Sequence, residues 1–188
     1  NIELPHLDDE TEVEIGQEAA LEMEEEYGIY NDSVALQRVT RIGQQIVPHS
    51  DRPGLPFRFT LLDTDEVNAF ALPGGFIYVT RGMLEFADAT ADDELAGVIG
   101  HEIAHIARRH GAKRIETLTA TIAAAEVLLQ RNPDLAQIYE TEQAQIVQNL
   151  AGELLLRGWS RNQEFDADHF GTIYMMHAGY NPHAIIAL

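Results

Sequence analysis

The 188-residue chain contains no cysteine, which removes both a disulfide framework and a thiolate-bound metal centre from consideration. That absence fits cytosol and periplasm equally. Basic residues are scarce: 12 Lys and Arg stand against 31 Asp and Glu, for a formal net charge of −19. Before Arg38 there is no Lys or Arg at all, whereas Glu3, Asp8, Asp9, Glu10, Glu12, Glu14, Glu18, Glu22, Glu24, Glu25, Glu26 and Asp32 all fall there. A polyanionic surface repels phosphate backbones and anionic headgroups over about a Debye length, so nucleic acid is not an expected partner. The acidic run itself reads as the solvated face of a helix, with a docking surface for a basic partner as the alternative. Also lacking is any apolar run near the ~20 residues that cross a bilayer, and the acidic start at Asn1 is no signal peptide. No membrane span is expected within this chain; an anchor or further domain is left to segments outside it. At 45% hydrophobic residues, what is present suits one folded domain over residues 1–188.

Along the chain, Asp8 or Asp9 is a candidate N-cap for an imperfectly amphipathic acidic helix within residues 1–30, ending near Tyr27 and Gly28. Asp32 or Ser33 caps a second helix whose face is Val34, Leu36, Val39, Ile42, Ile46 and Val47, before Pro48. After a Pro- and Gly-rich loop the period changes from about 3.6 to 2. Residues 57–62, 67–72 and 75–80 read as strands, and Pro73-Gly74-Gly75 allows an antiparallel hairpin between the last two. A short helix follows at Met83, Leu84 and Phe86. A long helix starts at Thr90 or Asp92 and runs over about 91–111, with Gly111 as its stop. Lys113 to Gln130 and Leu135 to Leu156 read as further helices, the second weakened by Gly152. Gly158-Trp159-Ser160 is a turn, and Ser160 with Gln163 forms a capping box for a last helix over 160–178, closed by Gly179.

The long helix carries His101-Glu102-Ile103-Ala104-His105. Residues four apart stack one turn above the other, about 6 Å along the axis, so both imidazoles project from one face with the spacing that grips one zinc ion. Glu102 swings roughly 100° around the axis, near the metal but off the ligand positions, where it can act as a base on water. Leu95, Val98, Ile99, Ile103 and Ile106 recur at three- and four-residue steps, so the histidines sit on a helix packed against a core. A catalytic zinc ion (Zn2+) takes three protein ligands plus water, and the last helix offers the third candidate, with Glu164 and Asp168 four apart on one face.

At this point the chain resembles the M48 family of zinc metallopeptidases, from about Leu36 to Pro182. The resemblance rests on His101 to His110 and on Glu164-Phe165-Asp166-Ala167-Asp168. It is joined by the block Asn68-Ala69-Phe70-Ala71-Leu72-Pro73-Gly74-Gly75 with Ile77-Tyr78-Val79-Thr80. It implies an α+β fold: a mostly α-helical zincin-like metallopeptidase domain with a small antiparallel-containing sheet ahead of the zinc helix. It further implies Glu164 as third ligand, Asp168 orienting a histidine, and substrate polypeptide laid along the strand at Asn68, Ala69, Phe70 and Ala71. Glu102 would take a proton from water and return one to the leaving amine of an unfolded or extended polypeptide. Arg109-His110 is similar to the soluble periplasmic branch that contains outer-membrane quality-control proteases. That implies a periplasmic or exported location, with any membrane association arising through segments outside this chain. Candidates for stabilising the oxyanion are His177, Tyr180 and His183 by proximity; His110 and His169 read as structural or supporting, and His6 and His49 as surface residues. Two competing classes are a zinc-containing binding or chaperone module with little or autoinhibited turnover, and a non-proteolytic zinc hydrolase.

Overall fold

The computed structural model describes residues 6–87, 92–131 and 158–183. Helix α1, Asp9–Tyr27, begins where the Asp8 carboxylate accepts the Thr11 N–H and ends at Gly28. Most of its acidic residues face solvent, but Glu12 is buried. Helix α2, Ser33–Ile46, is capped by Asp32, which accepts the N–H groups of Val34 and Ala35. Its inward face is narrower than the apolar pattern suggested: Val39, Ile42 and Ile46 are buried, while Val34, in the first turn, is 76% exposed.

Three strands follow, β1 (Arg58–Leu62), β2 (Ala69–Leu72) and β3 (Phe76–Thr80), in the spatial order β1-β3-β2. The expected antiparallel hairpin joins β2 to β3, with Ala69 opposite Val79 and Leu72 opposite Phe76, whereas β1 runs parallel to β3. Strand β2 is shorter than expected. The Thr80 hydroxyl sits 2.6 Å from the Glu66 carbonyl and accepts the Asn68 N–H, so at that end a side chain takes one of the two backbone bonds of the Asn68–Thr80 pair.

Helix α3 is Arg81–Phe86, α4 is Asp92–Ala107, α5 is His110–Arg131 and α6 is Arg161–His177. Ser160 and Gln163 make the expected capping box on α6. The expected helix from Leu135 to Leu156 lies outside the described residues. Leu95, Ile99 and Ile103 of α4 enter one core with Ile42 and Ile46 of α2, Ile77 and Val79 of β3, and Tyr174 and Met175 of α6. Each such side chain contributes about 1.5–3 kcal/mol on burial, so α4, the central member, is the best-anchored element.

Two points in α4 bear on what it carries. It crosses α6 at a pair of glycines: a Cβ on Gly171 would lie 2.8 Å from the His101 nitrogen, and one on Gly100 would lie 3.0 Å from the Gly171 carbonyl oxygen. At Gly171 only hydrogen permits that approach, and at Gly100 a side chain would be tightly pressed. The helix also ends earlier than the pattern predicted, at Ala107 instead of Gly111. Arg109 adopts a left-handed backbone with φ of 62°, its guanidinium on the Leu7 carbonyl and Glu116, and a new helix starts at His110. Gly111 is not a stop but a close contact, since a Cβ there would meet the Pro73 ring at 2.8 Å. Among the described residues no helix is long and apolar enough to cross a membrane.

Candidate metal centre

Directly after the glycine crossing on α4, His101 and, one turn further on, His105 turn their Nε2 atoms toward one another at 3.0 Å. Two turns back from Gly171 on α6, Glu164 brings its carboxylate to 3.5 Å from His101 Nε2 and 3.8 Å from His105 Nε2. Among the described residues these three form a group whose donor atoms all lie within 4.8 Å of one another. Donors held tetrahedrally at about 2.1 Å from one ion sit roughly 3.4 Å apart, close to the 3.0, 3.5 and 3.8 Å nearest approaches of these side chains. Two imidazoles and a carboxylate are the donor chemistry of zinc and its first-row neighbours, so the residues fit a bound metal ion.

The other ring nitrogens are also engaged. His101 Nδ1 is 2.9 Å from Oδ1 of Asp168, the residue that the family resemblance names as orienting a histidine. His105 Nδ1 is 2.8 Å from His110 Nδ1, and His110 Nε2 is 3.1 Å from Asp166 Oδ2. Burial, with His101 and His110 alongside, pushes the His105 imidazole down to about 2, which keeps it neutral and able to ligate. Burial likewise lowers His110, outweighing the opposing pull of Asp166. Although burial raises the Asp166 carboxyl, hydrogen bonds from Arg108 and His110 prevail and hold it below the usual carboxylate range. Glu102 is nearly enclosed, and burial with the Glu164 charge beyond it pushes its carboxyl well above that range.

Two cavities flank the group. One, about 260 Å³, lies between the start of β2, Met83 of α3, and Gly97 and Val98 of α4, and reaches His101, Glu102 and Asp168. The other, about 460 Å³, is bounded by Phe70, His105, Trp159 and Glu164. They share Asn68, Ala69, His101 and Glu102, so the cleft follows the β2 edge past the histidine pair. Ala71 instead belongs to the core.

Other sequence candidates lie elsewhere. His177 faces His49 at 6.2 Å, the Tyr180 hydroxyl bonds Gln45, and His183 closes a turn on Asn181; none lines either cavity. His169 stands edge-on to Phe170, and His6 is an exposed partner of Glu116. Three contributors went unread in the sequence: Trp159, stacked on His105 at 4.6 Å; Asp166; and the Gly100–Gly171 crossing. The lone tryptophan beside a helix cap, and glycine inside two helices at about 1 kcal/mol each, were the available signals.

Helix-borne histidines, a carboxylate from a second helix and an adjacent sheet edge define a metallopeptidase-type domain. The chain belongs to Peptidase family M48, whose family model matches residues 34–188. It is similar to the beta-barrel assembly-enhancing protease of Escherichia coli K12, with 29% identity over 164 residues, covering 84% of this chain and 32% of that protein. It is also similar to the mitochondrial metalloendopeptidase OMA1 of Schizosaccharomyces pombe, with 30% identity over 178 residues, covering 92% and 49%. Similarity extends to the metalloprotease YcaL of Escherichia coli K12, at 24% over 133 residues, covering 71% and 50%. The chain thus spans about a third to a half of the length of these relatives.

Proposed function

We propose that residues 1–188 act as a single zinc endopeptidase domain that cuts unfolded or extended polypeptide. The observation that carries this reading is the convergence of His101, His105 and Glu164 beside the β2 edge, with Glu102 lining the same cleft. His101, His105 and Glu164 would hold the zinc ion. When bound, zinc acidifies water and polarises a carbonyl. Glu102, enclosed beside the histidine pair and lining the same cleft, would as its carboxylate accept a proton from the attacking water and deliver it to the leaving amine. Asp168 holds His101 by its far nitrogen, and Trp159 walls the His105 side from solvent.

Substrate would be bound as an added strand. The Thr80 N–H donates to the Asn68 carbonyl, so Asn68, Phe70 and Leu72 turn their backbone groups toward β3. Ala69 and Ala71 therefore offer N–H and C=O to the open side of the sheet, a recognition that reads backbone and not sequence. Phe70 and Asn68 contribute side chains to the cleft, whereas Ala71 contributes backbone alone. A polypeptide is the fitting partner for such an edge; the formal charge of −19 makes nucleic acid an unsuitable one. A periplasmic or exported site of action belongs to this proposal through the Arg109-His110 resemblance, and fractionation of the native host tests it. Nothing among the described residues supports a membrane association.

Zinc-loaded protein should cleave casein and lose that activity to a chelator, with zinc restoring it. One bound zinc without cleavage of any unfolded substrate would favour the binding-module reading, and activity confined to small esters or amides would favour the non-proteolytic hydrolase.

A further inference from the structure

The geometry points to His110 and Asp166 as a positioning pair that sets the tautomer and ring plane of His105; this rests on the metal-site reading proposed above. For His105 to present its Nε2 lone pair to a metal beside His101 and Glu164, its Nδ1 carries the proton and donates to His110 Nδ1 at 2.8 Å. A ring that accepts at Nδ1 carries its own proton on Nε2, which His110 donates to Asp166 Oδ2 at 3.1 Å, a carboxylate oxygen that also accepts from Arg108 Nε at 2.9 Å. Each link fixes the next, from a carboxylate on α6 to the lone pair on α4.

Two features show that the arrangement is built and not incidental. Five residues along a straight helix is about 500° of rotation, so an unbroken α4 would have put His110 roughly 140° away from His105. The left-handed residue Arg109 breaks the helix and returns the ring to its partner. Water is also kept from substituting, since His105 and His110 are both buried and Trp159 stacks on His105 at 4.6 Å and 22°. His101 receives the same service directly from Asp168, at a more exposed position.

The test compares wild type, His110→Leu, Asp166→Leu and Asp166→Asn by zinc affinity in chelator competition, by imidazole 15N spectra of the metal-free proteins, and by circular dichroism. Metal-free wild type should show His105 protonated on Nδ1. With His110→Leu or Asp166→Leu the proton should redistribute toward Nε2 and zinc affinity should fall about 10–100-fold. Asp166→Asn, which keeps a carbonyl acceptor, should retain most of the affinity. A metal-free wild type protonated on His105 Nε2 overturns the inference even if the leucine variants fail to fold. So does a folded His110→Leu with unchanged tautomer and affinity while wild type binds zinc. Failure of the wild type to bind zinc overturns the metal-site reading as well.

Discussion

Glu102 and Glu164 are carboxylates of opposite circumstance within one site. Glu164 is 42% exposed at its side chain and directs its oxygens at two imidazoles, whereas Glu102 is nearly enclosed and burial raises its carboxyl's affinity for a proton. In the reading proposed above the first is a ligand and the second a proton-transfer group. Glu102→Gln preserves shape and removes the proton-accepting oxygen. It should therefore keep one zinc per chain while kcat on casein falls by about 10²–10⁴-fold. Retained turnover in a correctly metallated Glu102→Gln protein would show that the proton is handled elsewhere.

Between elements, the site depends on how closely α6 can lie on α4. Gly171→Ala would place a methyl 2.8–2.9 Å from the backbone of His101 and Gly100, forcing the helices apart. Overpacking of this kind costs about 1–3 kcal/mol, and the displacement acts on Glu164 and Asp168, two turns and one turn away. The variant should melt several degrees lower and bind zinc more weakly than wild type; equal zinc affinity would mean that the crossing does not set the ligand geometry. The sheet edge has its own test. Ala69→Pro deletes one outward N–H while leaving the bonds from β2 to β3, a position where an edge strand tolerates proline. With circular dichroism unchanged, kcat/KM on unfolded protein should drop by about 3–10-fold, the worth of one hydrogen bond. No change would argue against strand addition at this edge. Helix α1 is joined to the same machinery: buried Glu12 takes the Arg52 guanidinium at 2.8 Å and the Gly74 N–H at 3.1 Å, and Arg52 in turn caps the α4 carbonyl of Ile106.

Across the molecule, what was legible in the sequence was local and periodic. The caps at Asp8, Asp32 and Ser160, the β2–β3 hairpin and the histidine spacing are all set within a few residues of one another. The parallel pairing of β1 with β3 was not, because it depends on a crossover whose return no neighbouring residue encodes. The break at Arg109 was missed for a related reason. Its stabilising partners, Leu7 and Glu116, lie on either side in sequence, and only the folded chain gathers them, while the nearby Gly111 offers a conventional but false stop. Among the described residues the amino-terminal acidic run behaved as a solvated face except at Glu12, which two arginines and a backbone N–H compensate.

The claim on which the rest depends is that α4 and α6 together hold one metal ion through His101, His105 and Glu164. X-ray absorption at the zinc edge of the loaded protein addresses it without reference to turnover. The spectrum should show a shell of nitrogen and oxygen scatterers near 2.0–2.1 Å with the outer-shell signature of two imidazoles. That signature should drop to one imidazole in His105→Ala, and the inner shell should change in Glu164→Ala. A spectrum with no imidazole contribution, or one indifferent to both substitutions, would contradict the account.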